Sequence, residues 1–439
     1  GSIALANNLP VNDATITARL RDAGAIILGK AQLSEFANWV DLSMPSGYSS
    51  LGGQVINAYN WSRTPSGSSS GSGVLTSMAL SAGSIGSETS GSILSPSNAN
   101  SNVGLKPTMG LLSRAGIIPL AENFDVPGPM VRNVYDAAAM LGAMAGEPDP
   151  LDPETRAPPN GDYIAAIKAM EGVEKPLAGV RLGYVNAGST IFEEARTVLT
   201  ELGAEVVQIQ TNQLTGASTG EIALIPQEFH QGINDYLLNT ERQKPLDIVA
   251  PDLGAIILYN SQHPDKVKYG QGLIIASEPN AGFGGAFVKP AVDALALPVV
   301  TAARAGADKM FDDHNVDAII GQNAPHTGLG AAAGYPTVVV PSGYSGDGTI
   351  PVGISFFGKA FTEDKLLAYA YAYEQATHKR TPPTVQNPAN LEGVCGGRTS
   401  ASGPGGLEVF SDPEFPTETD FAREFFADSS SRDGLLELP

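Results

Sequence analysis

The chain has 439 residues, with 46 acidic against 26 basic for a formal charge of −20, five histidines and one cysteine. So acidic a surface repels polyphosphate, which excludes nucleic acid and anionic membranes as expected partners. The single cysteine, Cys395, excludes an internal disulfide framework and a cysteine-based metal site. No apolar run reaches the ~20 residues of a membrane span and no leader resembles a signal peptide. The expectation is a soluble protein whose compartment stays open, the cytoplasm being favoured over secretion, with hydrophobic residues (42%) sufficient for one large α/β domain or two ordinary ones.

In chain order, Asp13 is placed to cap a helix with Ile16 and Leu20 on one face and Gly24 at its end. Ala25-Ile26-Ile27-Leu28 then reads as a short, fully apolar strand buried in a sheet. Residues 43–72 are rich in Ser, Gly, Pro and Asn, the composition of a flexible linker. They lie between regular elements, however, and the serines resume at 77–101 among Leu75, Met78, Leu80 and Ile85, which suggests a tightly turning, packed segment. The sequon Asn60-Trp61-Ser62 is expected by chance in a chain this long.

Further on, 180–185, a helix over 192–202 and 206–209 form a βαβ unit. Helical periodicity recurs at 227–238 and 291–312, and strands are predicted at 316–320, 336–340 and 352–357. The helix from Thr362 carries Leu366, Ala370 and Tyr373 on one face. This alternation argues an α/β architecture. Pro382 and Pro383 close the regular part, leaving 385–439 as an acidic, Gly/Ser/Pro-rich tail.

Two motifs are lookalikes. Gly24 to Ala31 has the spacing of a phosphate-binding loop, but Ala31 stands where the magnesium-binding hydroxyl belongs and the interior is apolar. Gly67-Ser68-Ser69-Ser70-Gly71 matches a nucleophile elbow centred on Ser69, yet no hydrophobic strand precedes it. His230, His263, His314, His326 and His378 show no i, i+4 pairing and no carboxylate at metal-ligand spacing, so each reads as surface or satisfied core. A serine hydrolase without an evident histidine base needs another proton acceptor, and a lysine held neutral by burial is the available choice.

The run from Arg63 to Gly73, then Gly86-Ser87-Glu88-Thr89-Ser90-Gly91-Ser92-Ile93, then Val103-Gly104-Leu105-Lys106-Pro107-Thr108, resembles the amidase signature. Asp125 to Arg132 resembles the segment after it, and Leu28 to Ala37 fits upstream. The likeness is dense over about 1–145 and looser near 315–383. Glu88-Thr89, Glu228-Phe229, Tyr236-Leu237 and Tyr269-Gly270-Gln271 make it most similar to the peptide-amidase group. The resemblance implies one α/β/α domain around a mixed sheet, over 1–384. It implies Ser92 as nucleophile and Ser68 as proton relay, with Gly67–Ser68 cis. The backbone amides of Thr89, Ser90, Gly91 and Ser92 would form the oxyanion hole. No cofactor or metal is implied, and the substrate would be a neutral carboxamide, such as a C-terminal peptide amide.

Three departures qualify this. Ser66 and Ser70 replace glycines of the pattern, and Leu94 stands where an arginine is common, which argues against a charged substrate group there. The catalytic lysine of the family belongs upstream of Gly1, and Lys30 and Lys106 fall at non-catalytic positions of the pattern. The expectation is therefore a further N-terminal segment that carries it. The rival readings are a subunit delivering ammonia to aminoacyl-tRNA and a binding protein on a decayed amidase fold.

Overall fold

The computed structural model describes residues 1–210, 220–242, 250–279, 289–346 and 348–386. Its first half runs α1 (Thr15–Asp22), β1 (Tyr48–Ser49), β2 (Gly53–Gln54), α2 (Ser70–Ser77), β3 (Gly83–Glu88), α3 (Leu94–Ala99), β4 (Val103–Lys106), β5 (Val126–Val131), α4 (Val134–Met144) and α5 (Tyr163–Lys168). The second half runs β6 (Arg181–Tyr184), α6 (Thr190–Glu201), β7 (Glu205–Gln208), α7 (Gly220–Asn239), α8 (Leu253–Ser261), α9 (Gly272–Ala276), α10 (Lys289–His314), β8 (Ala318–Gln322), α11 (Thr327–Ala333), β9 (Thr337–Ser345), β10 (Ile350–Phe357), α12 (Glu363–Thr377) and α13 (Pro383–Gln386).

Eight strands form one mixed sheet in the order β3-β5-β4-β9-β10-β8-β6-β7. The ladder is antiparallel from β3 to β8 and parallel from β8 through β6 to β7. Strand alternation feeds two cores. Ala318 and Ile320 of β8, with Ile354 and Phe356 of β10, pack with α1, α4, α5, α6 and α12 on one face. Ile319 and Phe357 point the other way and meet α10 and α11. A third apolar cluster joins Trp39, Phe124 and helices α7 to α9. This is the expected α/β/α arrangement.

Several expectations are met closely. The βαβ unit is β6-α6-β7, the later predicted strands are β8, β9 and β10, and Leu366, Ala370 and Tyr373 of α12 are buried. Three need correction. Residues 25–28 form no strand: Ile26 is 86% and Leu28 74% exposed, and only Ile27 packs on the core. The cap of α1 is Ala14, because the Asp13 carboxylate accepts from Arg21 Nε at 2.7 Å instead. Between 66 and 77 the buried residues are mostly serines, while Leu80 is exposed. The tail boundary at 385 falls inside α13, and 387–439 lie outside the described residues. No helix among the described residues is long and apolar enough to cross a membrane.

Candidate active site

β3 ends at Glu88 and α3 begins at Leu94, so Ser92 stands on a tight strand-to-helix turn. The turn requires a glycine: Gly91 has φ +87°, where a side chain is strained. A Cβ there would also lie 3.2 Å from Ser95 Oγ and close against Thr327 at the start of α11. Ser92 is 6% exposed, and its hydroxyl makes no hydrogen bond among the described residues. Glu88 braces the far side of the turn, its Oε2 accepting from the amides of Ile93 (2.8 Å) and Leu94 (2.9 Å).

The buried Glu88 carboxylate faces Lys106 of β4, which also faces Glu363 of α12. Burial lowers the Lys106 pKa to about 8, against the raising influence of both carboxylates. Its Nζ donates to the Tyr335 carbonyl at 2.8 Å, which commits the amine to structure. Lys30 is exposed. Among the described residues, neither lysine hydrogen-bonds a site serine.

The loop before α2 docks against the Ser92 turn through one backbone bond, Ser69 N to the Ser92 carbonyl, at 3.1 Å. Ser68 therefore sits one residue from that link. It is 1% exposed, its peptide with Gly67 is cis, and its Oγ is buried without a partner among the described residues. Ser34 fixes the loop from outside: its amide donates to the Ser68 carbonyl (2.9 Å) and its hydroxyl meets Ser70 Oγ (3.1 Å). Gly71 admits the Gln32 backbone, since a Cβ there would lie 2.2 Å from the Gln32 carbonyl oxygen. Asn38 borders Gly67, and its Oδ1 is a second buried polar atom without a partner among the described residues.

Ser69, the elbow candidate, has its hydroxyl committed to β3, accepting from Ser87 N and donating to Ser87 O, both at 3.1 Å. Leu94 is buried in the first turn of α3. His326 lies next to Thr327, buried, with both ring nitrogens unpartnered among the described residues and its pKa lowered to about 4 by burial. The sequence did not show the bracing by Ser34, because it reaches Ser68 and Ser70 only through loop docking, nor that by Glu88, whose local bonds to Ile93 and Leu94 depend on the conformation of the turn. No group of three potential metal ligands occurs among the described residues.

A family model described as Amidase matches residues 1–367. An Arabidopsis thaliana protein described as a probable amidase is 38% identical over 399 residues, spanning 87% of this chain and 74% of that one. A component of a glutamyl-tRNA(Gln) amidotransferase from Syntrophobacter fumaroxidans is 32% identical over 421 residues, spanning 88% and 82%. Among solved structures, the native peptide amidase from Stenotrophomonas maltophilia superposes with a TM-score of 0.77 at 35% identity, covering 87% of this chain and 80% of that one.

Proposed function

The chain belongs to the amidase family and is a hydrolase acting on amides, and from that premise we propose that it cleaves a neutral carboxamide through an acyl-enzyme on Ser92. The observation that carries the reading is the pairing of two serines. Ser92 stands on a glycine turn at a helix start with its hydroxyl unclaimed, and the buried, unpartnered hydroxyl of Ser68 lies in the loop docked against it.

In the proposed reaction Ser92 Oγ attacks the carbonyl carbon as its proton passes to Ser68 Oγ, and the Ser68 proton passes to a lysine amine outside the described residues. The amides of Thr89, Ser90, Gly91 and Ser92 receive the developing oxyanion; one such donor is typically worth ~10²–10³ in rate. Collapse breaks the C–N bond, and the departing ammonia or amine takes its proton back through Ser68. Water then attacks the acyl-enzyme by the same route in reverse. Among the described residues the buried Ser68 Oγ is bound to no other group, so its hydroxyl is free to relay the proton.

A C-terminal peptide amide is the substrate class that the likeness to peptide amidase favours, and the buried Leu94 offers no charge to a substrate carboxylate. Residues 1–384 are read as the single catalytic domain, with 385–439 as a peripheral tail. The test is Ser92→Ala: turnover of a dipeptide amide should vanish with the melting midpoint unchanged. An alanine variant that keeps most of the activity refutes the assignment.

A further inference from the structure

An oxyanion hole works only if its dipoles are fixed before the charge develops. The turn 89–92 contains a glycine in the left-handed region and so must be held from its flanks. Glu88 holds the downstream flank through the Ile93 and Leu94 amides. The upstream flank is held by a residue that precedes β5.

In the β3/β5 ladder Glu88 lies opposite Val126, so the next positions outward, Thr89 and Asp125, face each other where the pairing ends. There the Thr89 hydroxyl donates to Asp125 Oδ1 at 2.5 Å. The other oxygen, Oδ2, accepts from the amides of Leu120 (2.7 Å) and Ala121 (2.9 Å). The carboxylate thus ties the end of β3 to the loop before β5 with three bonds. Hydrogen bonds to an ionised acceptor are roughly twice as strong as neutral ones. Arg114 from the loop after β4 faces it, as does Glu228 of α7, whose pKa burial raises to about 7 and whose carboxyl is held by Asn123 Nδ2 at 2.6 Å. Threonine is stiff at χ1, so fixing its hydroxyl also restrains the backbone that carries it.

We propose that Asp125 is a positioning residue of this site: by holding the Thr89 hydroxyl it aligns the peptide amides of turn 89–92 for the oxyanion without itself touching substrate. The proposal rests on the assignment of Ser92 and its turn given above. Its rival is a purely structural Asp125 that does no more than cap the amides of Leu120 and Ala121. Thr89→Val separates the two, because it removes only the hydroxyl and leaves those two bonds in place.

The variants are Thr89→Val, Thr89→Ser, which keeps the hydroxyl, and Asp125→Asn. Each is assayed on an N-acetylated dipeptide amide, and by hydrogen exchange of the peptide spanning 88–94, which needs no turnover. Thr89→Val should lower kcat by on the order of 10–10² with KM within about threefold, as expected for misaligned donors. It should also speed exchange in 88–94 alone. Thr89→Ser should restore both, and Asp125→Asn should add nothing further to the kcat loss of Thr89→Val. Unchanged exchange in 88–94, or unchanged kcat while Ser92→Ala is inactive, overturns the proposal. A Ser92→Ala protein that still turns over overturns the parent assignment instead.

Discussion

Glu221 lies in the first turn of α7 with its side chain fully buried and neither carboxylate oxygen hydrogen-bonded among the described residues. Burial pushes its pKa up from 4.5 to about 8. The folded protein therefore keeps this proton at neutral pH, whereas the unfolded chain gives it up near pH 4.5. Stability linked to the group is fully present below pH 4.5 and is lost as pH rises through about 8. A difference of 8 − 4.5 = 3.5 units corresponds to roughly 5 kcal/mol over the whole window and roughly 3 kcal/mol by pH 7. The helix N-terminus favours the anion by up to about 2 kcal/mol at a buried position and does not reverse the sign. Glu221→Gln keeps the size and removes the titration. In urea unfolding at pH 5, 7 and 9, the variant should match the parent at pH 5 and exceed it by several kcal/mol at pH 9. Parallel pH dependence in the two proteins would refute the reasoning.

Two more outcomes follow from buried polar groups. Lys106→Met removes the buried amine that donates to the Tyr335 carbonyl and faces Glu88 and Glu363, so it should cost about 1–3 kcal/mol in thermal or urea unfolding; an unchanged stability would contradict that structural role. Ser69→Ala removes both side-chain bonds to Ser87 and should destabilise by about 1–2 kcal/mol while retaining turnover. Complete inactivation of a folded Ser69→Ala protein would return Ser69 to candidacy as the nucleophile.

Where apolar residues recur with a clear period, the elements were legible in the sequence, as in α6, β9, β10 and α12. β3 and β5 escaped notice because Gly83-Ser84-Ile85-Gly86-Ser87-Glu88 and Val126-Pro127-Gly128-Pro129-Met130-Val131 lack alternation; in β5 every residue is buried, so no polar face marks the period. The opposite error occurred at 25–28, where an apolar run was predicted to be a strand but has no strand neighbour among the described residues. The serines and glycines of the site were found by their motif, because close backbone approach at Gly71 and a left-handed turn at Gly91 leave a compositional trace. Asp125 left none. Its separation from Thr89 by 36 residues is closed only by the β3/β5 register.

The central claim is that Ser92 is an activatable nucleophile, and mass mapping after treatment with a serine-directed fluorophosphonate tests it most directly. A single adduct on Ser92, lost in Ser92→Ala, is the expected result. An adduct on Ser69, or folded protein that stays unlabelled at Ser92, would contradict it.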